Sequence, residues 1–242
     1  MKKLFLVLCV IVLSFVGYEY FTLPDVSSLR KENPKETELM RQREAEMRSS
    51  GKKIRRHQVW VPLSAIPDYL KVAVLIGEDD AFYQHEGYDL NEIKESFIRN
   101  WEKMGLVRGG STITQQLAKN LYLSTSKTPL RKIKEFLIAR RLEEELTKRR
   151  ILEIYLNVIE WGDGIYGVES ASRIYFGKSA LDLTVQEAVL LAAVIPNPHR
   201  MNPTRPSKRV QNRFRLILDR MAQSGHINEQ EYEEAKDIMT HE

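Results

Sequence analysis

Three consecutive acids, Glu78, Asp79 and Asp80, close an almost wholly apolar stretch that begins at Leu70. Carboxylates delivered to the end of a buried helix are hard to desolvate and repel one another. If the helix stops there, they also face its negative end. Each effect raises a carboxyl pKa, which is how a glutamate becomes a general base near neutral pH. Composition alone favours a solvated acidic helix end, but Phe82, His85 and Gly87 directly downstream argue for a built site. A second constellation follows the glycine pair Gly109-Gly110. There Ser111, Thr112, Thr114, Gln115, Gln116 and Asn120 supply neutral groups suited to sugar and phosphate oxygens, or to bracing the loop itself. Lys119 lies eight residues after Ser111, two helical turns along the same element. A third set is Arg131, Lys132 and Glu135. The two cations fall in the first turn of a helix that starts at Thr128-Pro129, an N-cap followed by proline, where free backbone N–H groups also favour an anion. Glu135 is four residues after Arg131 and three after Lys132, a spacing that an ordinary intrahelical ion pair explains by itself.

The elements that must position these residues are helical. Leu70, Val72, Ala73, Val74, Leu75 and Ile76 are apolar on every side, as in a buried central helix. Further helices are expected over Leu90 to Trp101, Ser111 to Leu121, Thr128 to about Leu146, Lys148 to about Val158, Ile165 to Tyr175, Thr184 to Val194, Ser207 to Ser224 and Glu229 to Met239. His57 to Val61 reads as a short strand or an extended lead-in, and Gly162, Gly164 and Gly167 mark a turn region. Few alternating runs occur, so the class is all-α.

The chain has 242 residues, 43% apolar and 29% charged, with a formal net charge of +4. That allows a substantial core and one large domain. A pI of about 9.0 fits nucleic acid, anionic lipid or a pyrophosphate ligand equally well. The single cysteine, Cys9, excludes a disulfide framework and a cysteine-based metal site. The five histidines show no ligand spacing. Lys2 and Lys3 precede an apolar run from Leu4 to Tyr18. The run suits a signal-peptide core as well as an anchor. The lack of a small-x-small cleavage site and the tyrosines at its outer edge favour a retained transmembrane anchor, residues 1–23, with the N-terminus inside. With a membrane segment present, anionic lipid and pyrophosphate are preferred over nucleic acid as partners. Residues 24–55 read as a charged linker or solvated helix, and 56–242 as the working domain.

Five segments stand in a fixed order: Glu78 to Gly87, Gly109 to Asn120, Arg131 to Glu135, Lys148 to Asn157, and Ala192 to Pro203. Together they resemble the peptidoglycan glycosyltransferases, which polymerise lipid II into glycan strands, and the match runs from about Val61 to about Pro203. The resemblance implies a lysozyme-like α-helical domain on the outer, periplasmic side of the bacterial cytoplasmic membrane. It makes Glu78 the base that deprotonates the acceptor sugar's 4-hydroxyl and Asp79 a supporting acid. It places Lys119, Arg131 and Lys132 on the departing undecaprenyl pyrophosphate, with Arg108 as a further phosphate ligand. Ser111, Thr112, Gln115, Gln116 and Asn120 would join them in binding substrate. Glu135 becomes the second essential acid, positioning donor-site cations or metal rather than moving a proton.

Mg²⁺ or another divalent ion would bind through carboxylate and pyrophosphate oxygens together, and no organic cofactor is implied. The partners implied are lipid II, the growing lipid-linked strand, the membrane and other cell-wall synthesis proteins. Phe97, Ile98, Trp101, Met104, Leu106 and Val107 would form a mobile flap at the bilayer, against a default reading as core helix plus loop. Arg141 matches a basic family position or pairs with nearby acids, and Tyr155, Leu156 and Asn157 look structural. Glu153 faces the cleft or serves packing, the latter being preferred. Relatives with a second, penicillin-binding domain are larger than this chain, and Ser-x-x-Lys at Ser50 and Ser124 reads as chance, so the monofunctional type is expected. The rival from another reaction class is a lytic transglycosylase or lysozyme-like enzyme, which needs one glutamate but not the cations at 119, 131 and 132.

Overall fold

The computed structural model describes residues 21–88, 111–126 and 128–237, together with Val7, Val10, Ser14, Gly17 and Tyr18. The expected helix from Leu90 to Trp101, the flap, Arg108, the Gly109-Gly110 pair and most of the apolar N-terminal run lie outside the described residues. Among the described residues no helix is long and apolar enough to cross a membrane.

The described chain is mostly helical. Its helices are α1 (Glu38–Ser49), α2 (Asp68–Glu78), α3 (Ile113–Tyr122), α4 (Pro129–Glu145), α5 (Lys148–Val158), α6 (Val168–Phe176), α7 (Val185–Val194), α8 (Lys208–Gln223) and α9 (Glu229–Asp237). Hydroxyl caps set several of the starts. Thr112, Thr128, Thr147 and Thr184 each accept from the backbone N–H three residues on, and Thr184 closes a reciprocal capping box with Glu187.

A small sheet accompanies the helices, its first strand coinciding with the short strand expected near His57. Strands β1 (His57–Gln58), β2 (Glu160–Gly162) and β3 (Ile165–Tyr166) run in the order β1-β3-β2, with β1 parallel and β2 antiparallel to β3. The helix expected from Ile165 therefore begins only at Val168. Gly167 is the reason. Its φ of +78° is unfavourable for side-chain-bearing residues, and a Cβ there would stand 2.7 Å from the Asn157 carbonyl oxygen. The backbone angles of Gly167 lie outside the helical region, so α6 starts one residue later.

The core centres on α7, whose residues from Ala188 to Val194 are all buried. A helix apolar on every side is enclosed on every side, and α7 packs against both α2 and α8. Helix α2 is less enclosed than its sequence suggests, because Val72 and Leu75, one turn apart, are only partly buried. Helix α3 packs against α4, α5 and α1.

The segment read as linker or solvated helix is docked. Leu39, Met40 and Met47 of α1 are buried. Upstream, Arg141 Nη1 donates to the Leu23 and Pro24 carbonyls at 3.2 and 3.4 Å, and Arg30 pairs with the Glu145 carboxylate at 2.6 Å. Arg150 donates to the Leu29 and Glu32 carbonyls and to Asn33 Oδ1, each at 2.8 Å. Leu23, Val26 and Leu29 of the strap are buried as well, but the guanidinium bonds to its carbonyls do much of the holding, and three apolar residues in a charged segment were too few for hydrophobic patterning to reveal the docking.

Candidate active site

Helix α2 ends at Glu78, as the run of apolar residues dictates, and the chain then turns sharply at Asp79. The two neighbours face different tasks. Asp79 is buried; its Oδ2 accepts from the Ile113 N–H at 2.8 Å and its Oδ1 lies 2.8 Å from His85 Nε2. It therefore ties the end of α2 to the first residue of α3, where the exposed N–H groups of a helix start favour a carboxylate. Thr112 adds a second tie, capping α3 and donating to the Gly87 carbonyl at 2.8 Å.

That junction sets α3 against Glu78. Gln116 Nε2 donates to Glu78 Oε2 at 2.9 Å, and Arg213 Nη2, from α8, donates to Glu78 Oε1 at 2.8 Å. Arg213 also donates to the Gly77 carbonyl at 3.0 Å, satisfying one of the free acceptors at the end of α2. The Glu78 side chain is only 9% exposed. Burial pushes its pKa above the ordinary glutamate value, while Arg213, the Gln116 amide and Lys119 restrain the rise. Desolvation thus dominates, as the sequence implied. The acid–acid repulsion expected from Asp79 and Asp80 is not among the causes.

Glu135 is buried on α4, held by Arg131 Nη1 on one oxygen and Lys132 Nζ on the other. The intrahelical spacing is realised, but in a buried setting that a surface pair would not have. Lys132 reaches further, donating to Ser111 Oγ at 2.8 Å and Gln115 Oε1 at 3.1 Å, so α3 and α4 are joined at their first turns. Lys119, on α3, is close enough to both acids to feel their charge. Burial lowers its pKa; Glu135 and Glu78 oppose the fall, and Arg131 and Lys132 add to it. Among the described residues Lys119 forms no ion pair within 4.0 Å, whereas Arg131 and Lys132 are already engaged.

The structure links Glu78, Ser111, Gln115, Gln116, Arg131, Lys132 and Glu135 by hydrogen bonds, and Lys119 feels both acids electrostatically. Asp79 and Thr112 serve as braces of this network, and Asn120 is buried on α3. Glu153 and Asn157 turn to the segment that follows β1 instead. Glu153 accepts from the Leu63 N–H, and Asn157 exchanges two 2.9 Å bonds with the Val61 backbone.

Arg213 was missed. It stands between Val210 and Phe214, at the edge of the buried stripe Val210, Phe214, Ile217, Leu218 and Met221. A guanidinium bordering a core stripe was the available signal, but its partner is 135 residues away.

Both Glu135 oxygens already accept from cations, whose charge opposes a divalent ion at that carboxylate. A separate group, Glu160, Asp163 and His199, brings its ligand atoms within 4.8 Å of one another. Arg43 already donates to Glu160 Oε2 at 3.0 Å, which opposes a second cation. None of these residues pairs with Glu78 or Glu135.

A buried carboxylate of raised proton affinity thus stands near a cationic cluster on a helical scaffold. The family model described as Transglycosylase matches residues 44–222. A biosynthetic peptidoglycan transglycosylase from Chromobacterium violaceum is 42% identical over 91% of this chain and 97% of its own. One from Thiobacillus denitrificans is 51% identical over 67% and 69%, respectively. The solved structure of penicillin-binding protein 1A from Haemophilus influenzae covers 74% of this chain and 17% of that one, at 25% identity and a TM-score of 0.44, too loose a likeness to argue from. The chain belongs to the transglycosylase family.

Proposed function

We propose that this chain, a peptidoglycan glycosyltransferase, polymerises lipid II into β-1,4-linked glycan strands. Glu78 takes the proton from the 4-hydroxyl of the acceptor's terminal sugar. The freed oxygen attacks the anomeric carbon of the growing, lipid-linked strand, and the bond from that carbon to the pyrophosphate oxygen breaks. Attack from the opposite side inverts α to β, and undecaprenyl pyrophosphate leaves as an anion that needs no proton. Lys119, Arg131 and Lys132 face the charge that develops on it, Lys119 and Arg131 from partly buried positions where fixed cations act more strongly than in water. Glu135 holds two of those cations in place, and Arg108 is assigned to the same pyrophosphate.

The observation that carries this reading is the buried Glu78 carboxylate, held by Gln116 and Arg213 and raised in proton affinity, with Lys119 coupled both to it and to the Arg131–Lys132–Glu135 cluster. We further assign a lysozyme-like fold to residues 56–242, a transmembrane anchor to 1–23 and the connecting segment to 24–55, with the enzyme on the periplasmic face of the cytoplasmic membrane beside other cell-wall synthesis proteins.

Purified protein incubated with labelled lipid II in detergent should give a ladder of products that muramidase digests, absent for Glu78→Gln. No ladder, with sacculi instead losing soluble fragments, would replace polymerisation with glycan cleavage.

A further inference from the structure

Tyr155 of α5 is fully buried, in a setting where phenylalanine would fill the same space with no polar atom to satisfy. Its hydroxyl is nevertheless engaged, donating to Gln116 Oε1 at 3.0 Å. An amide has one accepting end and one donating end. With Oε1 occupied by the tyrosine proton, Nε2 points at Glu78 Oε2, 2.9 Å away, and stands 3.5 Å from the Ser111 carbonyl. The reversed amide would set its oxygen against two acceptors, the carboxylate and that carbonyl.

We propose that Tyr155 is a positioning residue for the general base, its hydroxyl fixing the Gln116 amide as a donor to Glu78; this rests on the reading of Glu78 given above. A hydrogen bond to the ionised form favours that form, so the Tyr155–Gln116 pair holds Glu78 ready to accept a proton at lower pH than burial alone would allow. Burial and the neighbouring Glu78 and Asp79 raise the phenol pKa far above its usual value, so the hydroxyl keeps its proton wherever the enzyme works. The charged groups around Glu78 are Arg213 from α8, Lys119 from α3 and Asp79 beside it in sequence. None of them depends on Tyr155 for its own bonds, so loss of the hydroxyl removes only one restraint on the carboxyl.

The test compares wild type, Tyr155→Phe, Gln116→Met and the double variant. Each is read by kcat/KM for lipid II against pH and by NMR titration of the ¹³C-labelled Glu78 carboxyl without substrate. In Tyr155→Phe the acid limb moves to higher pH, with rates on that limb falling about three- to tenfold and the plateau retained. Gln116→Met moves it the same way, and the double variant moves it no further than Gln116→Met alone. An unshifted Glu78 titration in Tyr155→Phe, or a uniform drop in rate at every pH, overturns the assignment. Should Tyr155→Phe not fold, a Gln116→Met titration identical to wild type overturns it equally, since the tyrosine acts through that amide. A shifted titration with an unshifted rate profile keeps the positioning role and removes Glu78 as the base.

Discussion

The Asp79 carboxylate accepts the Ile113 N–H at 2.8 Å, joining the last turn of α2 to the first residue of α3. Adjacent acids in sequence thus divide the work, Glu78 toward the pocket and Asp79 into the frame. Asp79→Ala should lower stability by about 1–3 kcal/mol, because two buried donors lose their acceptor. It should also lower kcat, since Gln116 is carried on the helix that comes loose. Asp79→Asn, which keeps one acceptor, should fall between the two, as judged by urea unfolding beside the lipid II assay.

Removal of Arg213 withdraws the largest influence holding down the Glu78 proton affinity. In Arg213→Ala the carboxyl should neutralise rather than remain charged and unpaired in the core. The acid limb of kcat/KM then moves to higher pH, and activity at pH 7 drops by at least about tenfold. Arg213→Lys should restore part of the rate but not the second bond to the Gly77 carbonyl. A pH profile unchanged in Arg213→Ala would show that the guanidinium serves the fold alone.

Lys119 must carry its charge to meet pyrophosphate, yet burial lowers its pKa. The alkaline limb of kcat/KM should therefore lie below the value of about 10.4 for a free lysine. Lys119→Arg should push that limb upward while raising KM, because a planar fork does not replace a compact ammonium. An alkaline limb identical in both enzymes would assign it to another group.

Glu135→Ala leaves Arg131 and Lys132 facing one another without their shared partner. Truncating one member of a buried pair costs up to about 3–5 kcal/mol, and Lys132, with its side chain 48% exposed, holds the loss toward the lower end of that range. Lipid II binding should weaken with it, and equilibrium binding measured in the Glu78→Gln background separates that loss from catalysis.

His199 Nε2 donates to Glu160 Oε2 at 2.9 Å, and that bond raises its pKa above the ordinary histidine value. A raised folded-state pKa means stability that is full below about pH 6.5 and is lost as pH rises through the folded value. The side chain is 32% exposed, so the contribution is below about 1 kcal/mol. Melting temperatures of wild type and His199→Gln should differ most at pH 5.5 and converge by pH 8.5.

What could be read from the sequence was whatever local spacing encodes. Thr128-Pro129 announces α4, and Glu78 at the end of an apolar run announces a desolvated acid. The Arg131–Glu135 spacing announces an ion pair, though not that it is buried. What could not be read depends on partners brought together by folding. Arg213 meets Glu78 only because α8 packs on α2. Tyr155 appeared structural because its hydroxyl's partner lies on another helix. The docking of residues 23–33 joins side chain to backbone bonds with just three buried apolar side chains, Leu23, Val26 and Leu29, too short a pattern to stand out among the charges.

That strap has a consequence for reach. Arg141, which grips the chain at Leu23 and Pro24, is six residues beyond Glu135 on the same helix, or about 9 Å along its axis. With residues 1–23 in the bilayer, as proposed, the catalytic pocket is not a weight on a slack cord. It rides at one stand-off from the membrane surface, where it searches a plane instead of a hemisphere and meets a lipid-bound sugar at a fixed height.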